Sequence, residues 1–195
     1  MDDEPASLLK PARAACRAGR PAGAILSGMP ISPYLHSLRE VVGHRMLLLP
    51  GVTAVVFDDA GRLLLGQRAD NGTWALIAGS MDPGEQPAET VVREVYEETA
   101  VHVVPERITS VLTQPPNTYP NGDQTEFVDI TFRCRAVGGE ARVNDDESLA
   151  VGWFALTDLP PLNELNRRRL ECALAPGADA WFCAPESDQS GRART

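Results

Sequence analysis

Long apolar runs are missing from this chain. Although 43% of its 195 residues are hydrophobic, no stretch approaches the ~18 consecutive apolar residues that a membrane-spanning helix needs. Cysteine is sparse and scattered. Cys16, Cys134, Cys172 and Cys183 form no CxxC pair and have no histidine beside them, which disfavours a zinc or disulfide framework and fits reduced thiols in a cytoplasmic protein. Positive charge is scarce as well. With Lys+Arg 18 against Asp+Glu 27, the formal net charge is −9, which argues against duplex nucleic acid as a partner. An anionic small molecule stays compatible with that charge if bound cations invert the local field. No secretory leader is expected either, because Ala24-Ile25-Leu26 falls short of the roughly 7–15 apolar residues such a segment requires.

What is present suits one ordinary domain. A chain this long buries about 70% of the surface its unfolded form exposes and needs no covalent staples. Residues 1–28 are charged, rich in Ala, Arg, Pro and Gly, and without periodicity, so a disordered extension is expected there, with Met29 as an alternative start. The expected domain covers 29–183, and a frayed tail is expected at 184–195. Ser32-Pro33 reads as an N-cap with proline at the first helical position, followed by Tyr34, Leu35, Leu38, Val41 and Val42 at helical spacing. Met46–Leu49 and Val52–Phe57 read as strands, and Asp58–Gly61 as a turn into a returning strand, Arg62–Gln67. Further strands are expected at Trp74–Ile77, Ile108–Gln114, Thr125–Ala136 and Gly152–Ala155, with helices at about Pro87–Thr99 and Asn163–Ala173. Val128, Ile130, Phe132 and Cys134 share one parity, giving that strand an apolar face. Hairpins without a regular βαβ repeat point to an α+β or α/β chain: a mixed β-sheet sandwiched by helices.

The helix at Pro87–Thr99 carries the strongest chemical signal. Ala88, Val91, Val92, Val95 and Thr99 form one stripe suited to packing on a sheet. Off that stripe, Glu94, Glu97 and Glu98 stand at i, i+3 and i+4, where side chains are neighbours. Like charges so placed destabilise a helix by a few tenths of a kcal/mol per exposed pair, and carboxylates in its last turn oppose the dipole. A hard divalent cation would relieve both penalties, since carboxylate oxygens are the ligands it takes. Taken alone, the three glutamates fit a solvated acidic face better than a site. The spacing around them reverses that judgement: Gly79, five residues, Glu85, seven residues, Arg93-Glu94, Val95, one residue, Glu97-Glu98, one residue, then Ala100-Val101.

This pattern resembles the signature of the Nudix hydrolases, G-x5-E-x7-R-E-U-x-E-E-x-G-U with U a bulky aliphatic. The match holds at Gly79, Glu85, Arg93, Glu94, Val95, Glu97, Glu98 and Val101, and fails at Ala100, where the family has glycine. Leu76-Ile77-Ala78-Gly79 also replaces the more usual Leu-Pro-Gly-Gly, and Asp82 a glutamate. The resemblance implies an α-β-α sandwich, hydrolysis of a nucleoside diphosphate linked to another moiety, and Mg²⁺ or Mn²⁺ held by Glu94, Glu97 and Glu98. It makes Glu85 and Arg93 a supporting salt bridge, and Gly79 the point where backbone approaches the metals. Glu147, in Asn144-Asp145-Asp146-Glu147 before Trp153, resembles a further ligand or general base, with Asp146 the alternative. Arg68, at the close of a strand, resembles an arginine that reaches substrate phosphates, while Tyr119 and Phe127 read as turn or core residues first and as stacking partners for a base second. Trp74 reads as packing, and His36, His44 and His102 as structural or solvated. Family habit also admits a homodimer. Two rivals are a nucleotide-sensing module without turnover and a Nudix-type isopentenyl diphosphate isomerase; the isomerase would need a reactive cysteine such as Cys134.

Overall fold

The computed structural model describes residues 32–185. The expected disorder of 1–28, the alternative start at Met29 and nearly all of the expected tail lie outside the described residues. Three helices and a mixed sheet run in chain order as α1 (Pro33–Val42), β1 (Leu47–Phe57), β2 (Leu63–Arg68), β3 (Trp74–Ala75), β4 (Ile77–Ser80), α2 (Pro87–Thr99), β5 (Val101–Thr113), β6 (Asn117–Thr118), β7 (Gln124–Gly139), β8 (Ser148–Phe154), α3 (Glu164–Leu174) and β9 (Trp181–Phe182).

The two strands expected at Met46–Leu49 and Val52–Phe57 are one. Pro50 and Gly51 lie inside β1, which pairs in parallel with β7 from Leu47↔Thr125 to Phe57↔Arg135. Proline is tolerated because β4 pairs with β1 only from Gly51 onward. The strand expected at Trp74–Ile77 is split at Leu76: β3 turns toward β2 and β4 toward β1. The main path of the sheet is β3-β2-β1-β7-β5-β9, and β8 adds to β2.

Alternation along β1 builds the sandwich. Val52, Ala54 and Val56 face a core shared with Val91 and Val95 of α2, while Val55 and Phe57 face one shared with Leu170 and Ala173 of α3. Fully burying a valine of this kind contributes about 1.5–3 kcal/mol, so Val91 and Val95 hold α2 on the sheet. Ala88, expected on that stripe, is exposed; Thr90 is buried instead, because its hydroxyl turns inward to Glu85.

The polar parity of β7 is also covered. Asp129 and Arg169 of α3, 1% and 4% exposed, form an ion pair at 2.9 Å, and Thr53 and Thr131 donate to the same carboxylate. Binary patterning assigns such residues to solvent, but α3 brings its own counter-charge to that face.

Candidate active site

Helix α2 starts as its sequence dictates. Pro87 occupies the first turn, and the Gln86 N–H donates to the Glu89 carboxylate at 2.8 Å, satisfying an otherwise orphaned donor. It ends on Ala100 in the left-handed region, φ 57°, the only non-glycine with positive φ among the described residues. Alanine thus adopts the conformation in which the family uses glycine, at a cost on the order of 1–2 kcal/mol, and its N–H donates to Tyr96 O at 2.8 Å.

Arg93 organises the polar face. Its five N–H groups are all engaged: Nε and Nη2 with the two Glu85 oxygens at 2.6 and 2.9 Å, Nη2 also with Ser80 O at 3.1 Å, and Nη1 with Glu94 and Glu97 at 3.0 and 2.9 Å. Glu85 further accepts from Thr90 Oγ1 and the Asp82 N–H, so the loop after β4 is tied to α2. The Arg93 hydrogen bonds, with the Asp82 N–H and Thr90 adding to them, hold the Glu85 carboxyl down at about 2.

The other carboxylates are pushed the opposite way. Burial raises Glu94 to about 7, with Arg93 opposing and Glu97 and Glu147 adding to the rise. Burial likewise lifts Glu98 well above the usual carboxylate range, reinforced by Glu94, Asp145 and Glu147 and offset by Arg68. Glu147 is raised by burial and by Asp145, with Arg68 opposing. Glu94, Glu98 and Glu147 therefore stand in one another's field, whereas Asp146 is exposed. Glu97 is 54% exposed and reaches back to Arg93.

Gly79 is the close approach. A Cβ built there would lie 1.9 Å from Glu94 Cδ, so only glycine lets β4 pass under the carboxyl as it stands. Arg68 makes a bidentate contact to Asp70 at 2.9 and 2.6 Å and faces Glu98, Glu147 and Tyr119. Gly79, Arg68, Glu94, Glu97, Glu147, Tyr119 and Phe127 all line one large cleft.

A hard cation fits these residues. The donors are carboxylate oxygens, two of the carboxylates, Glu94 and Glu98, are half-buried in one another's field, and the buried Asp82 Oδ1 has no hydrogen-bond partner among the described residues. Among the described residues no three His, Cys, Asp or Glu side chains are gathered at ligating distance as they stand, since Arg93 bridges Glu94 and Glu97.

The remaining residues singled out in the sequence lie in packing or surface contacts. Trp74 packs edge-on against Phe154, His102 stacks on Tyr96, His44 pairs with Asp123 at 2.7 Å, and His36 lies 3.7 Å from Glu40. Among the described residues no helix is long and apolar enough to cross a membrane. The Asn144 side chain donates to Tyr96 O of α2 at 3.1 Å, a contact that an amide in an acidic loop does not signal without the fold.

Comparison with known proteins agrees with this geometry. The family model for the NUDIX domain matches residues 47–173. A MutT-like protein of Streptomyces ambofaciens is 38% identical over 123 residues, covering 63% of this chain and 66% of that protein. An ADP-ribose pyrophosphatase of Methanocaldococcus jannaschii is 30% identical over 151 residues, 75% of this chain and 86% of its own. Among solved structures, a MutT NUDIX hydrolase from Burkholderia pseudomallei superposes with a TM-score of 0.54 at 32% identity, over 64% of this chain and 97% of that one. With Gly79, Glu85, Arg93, Glu94 and Glu97 of the signature lining one cleft and the domain matched over 47–173, this chain belongs to the NUDIX family.

Proposed function

We propose that this chain is a divalent-metal-dependent pyrophosphohydrolase that cleaves the diphosphate of a nucleoside diphosphate linked to another moiety. One observation carries the reading: half-buried carboxylates of α2 crowd against Glu147, at a point where Gly79 lets the backbone through. Glu94, Glu97 and Glu98 are the residues to hold Mg²⁺ or Mn²⁺, which when bound neutralises the diphosphate and polarises the attacked phosphorus. Glu85 and Arg93 keep those carboxylates oriented. Glu147, with an affinity for protons raised by burial, takes the proton of the attacking water. Arg68, pinned by Asp70 at the cleft wall, offers its charge to the substrate phosphates.

ADP-ribose, the substrate named for the Methanocaldococcus relative, is the first class to try, with nucleoside triphosphates beside it. The isomerase alternative loses its cysteine. Cys134 is fully buried on β7 in the core shared with α2, and burial pushes its thiol up to about 12. The deciding experiment is a product screen with Mg²⁺ over ADP-ribose, nucleotide sugars, dinucleoside polyphosphates and nucleoside triphosphates. Release of a nucleoside monophosphate from one class is expected; intact substrate in every case would overturn the reading.

A further inference from the structure

We propose that Asn144 is a positioning residue: it straps the loop 140–147 onto the end of α2 and so sets the Glu147 carboxylate against Glu98. The inference rests on the role given to Glu147 above.

The last carbonyls of an α-helix have no partner within the helix. In α2 two of these, Glu98 O and Thr99 O, are taken by the loop that joins β7 to β8, and Tyr96 O, already bonded to the Ala100 N–H, accepts a second time from the same loop. The Asn144 side-chain amide donates to Tyr96 O at 3.1 Å, its backbone N–H to Glu98 O at 3.2 Å, and the Arg142 N–H to Thr99 O at 3.1 Å. Tyr96 and Glu98 flank Glu97, so the strap lands on the turn that carries two of the three box carboxylates. Beyond Asn144, Asp145 Oδ1 accepts from the N–H groups of Glu147 and Ser148 at 3.1 and 3.3 Å, and the Ala69 N–H donates to Glu147 O at 2.8 Å. The main chain of Glu147 is thus pinned by Ala69, just beyond β2, on one side and, through Asn144, by α2 on the other.

The strap has something to oppose. Glu147 faces Glu94, Glu97 and Glu98, and Asp145 also faces Glu98, so whenever these carboxylates are charged without a cation between them, repulsion pushes the loop away from the helix. A neutral amide is the right chemistry against this: it donates to a carbonyl at the negative end of the helix and adds no charge. Aspartate at the same position has the same shape, loses the donor and adds repulsion. Asn144 is exposed, so its replacement leaves the core untouched.

A double-mutant cycle on turnover, with Mg²⁺ and the substrate found in the screen, tests the proposal. Asn144→Ala and Asn144→Asp are expected to lower kcat about tenfold, as a displaced catalytic group does, with KM and Tm nearly unchanged. Asn144→Gln, which keeps the amide, is expected to recover part of the loss. Glu147→Gln is expected to be slower still, and the double variant Asn144→Ala/Glu147→Gln no slower than Glu147→Gln alone. Independent losses that multiply in the double variant would overturn the proposal, as would wild-type kcat in Asn144→Asp. Wild-type kcat in Glu147→Gln would instead remove the role of Glu147, and the proposal with it.

Discussion

Replacing Gly79 by alanine separates chemistry from stability in this fold. The added Cβ would sit 1.9 Å from Glu94 Cδ and 2.0 Å from Oε1. An ordinary contact needs about 3.4 Å or more, so the carboxyl must retreat by about 1.5 Å. The obstacle is the tip of a flexible side chain, and Gly79 does not have a positive φ, so the backbone can stay. Moving Glu94 off its rotamer costs about 0.5–1.5 kcal/mol, while alanine returns about 0.4–1 kcal/mol by restricting the unfolded chain. The net effect is within about 1 kcal/mol, or about 2–4 °C in Tm for a chain of this size. Turnover responds differently, because a misplacement of about 1 Å in a reacting constellation costs about 100-fold. Product release under saturating Mg²⁺ and thermal melting, measured on the same preparation, should therefore show kcat down about 100-fold at a nearly unchanged Tm. Combining Gly79→Ala with Glu94→Gln should add little to the loss from Glu94→Gln alone. Turnover of Gly79→Ala within about threefold of wild type would refute the idea that Glu94 works from the position it holds here.

Other expected outcomes follow from the same geometry. Glu98→Gln and Glu97→Gln should each lower kcat by at least about 100-fold while circular dichroism stays native; wild-type turnover from both would remove the metal-site assignment. Glu85 sits at about 2 instead of 4.5 through its bonds to Arg93. A carboxyl depressed on folding stabilises above its unfolded value and loses that contribution as pH falls toward the folded one. The Tm gap between wild type and Glu85→Gln should accordingly be full at neutral pH, shrink below about 4.5 and close near 2, and a gap independent of pH would contradict the pairing. Arg169→Met strands the buried Asp129 carboxylate and should cost about 3–5 kcal/mol in urea unfolding, whereas Arg169→Met with Asp129→Leu should recover much of it. An equal loss in the double variant would show that packing, and not the unpaired charge, sets the cost.

The sequence alone determined the signature helix. Its limits at Pro87 and Thr99 and the neighbourhood of Glu94 and Glu98 are local, whereas the pairing of Glu85, in the loop before the helix, with Arg93 was implied only by the family resemblance. One helix of known pitch converts spacing into geometry without help from the rest of the chain. The apolar parity of β7 and the N-cap at Ser32 were legible for the same reason. Tertiary structure decided what crosses between elements. It joined Met46–Leu49 and Val52–Phe57 into one strand through Pro50, because the parallel partner β7 runs past both. It turned the polar side of β7 inward by laying Arg169 over Asp129. It brought Glu147, and not Asp146, into the field of Glu98, because the loop is strapped by Asn144 to a helix end 48 positions away. Contacts of that separation depend on how the chain closes its loops, and no periodicity or spacing in the sequence encodes them.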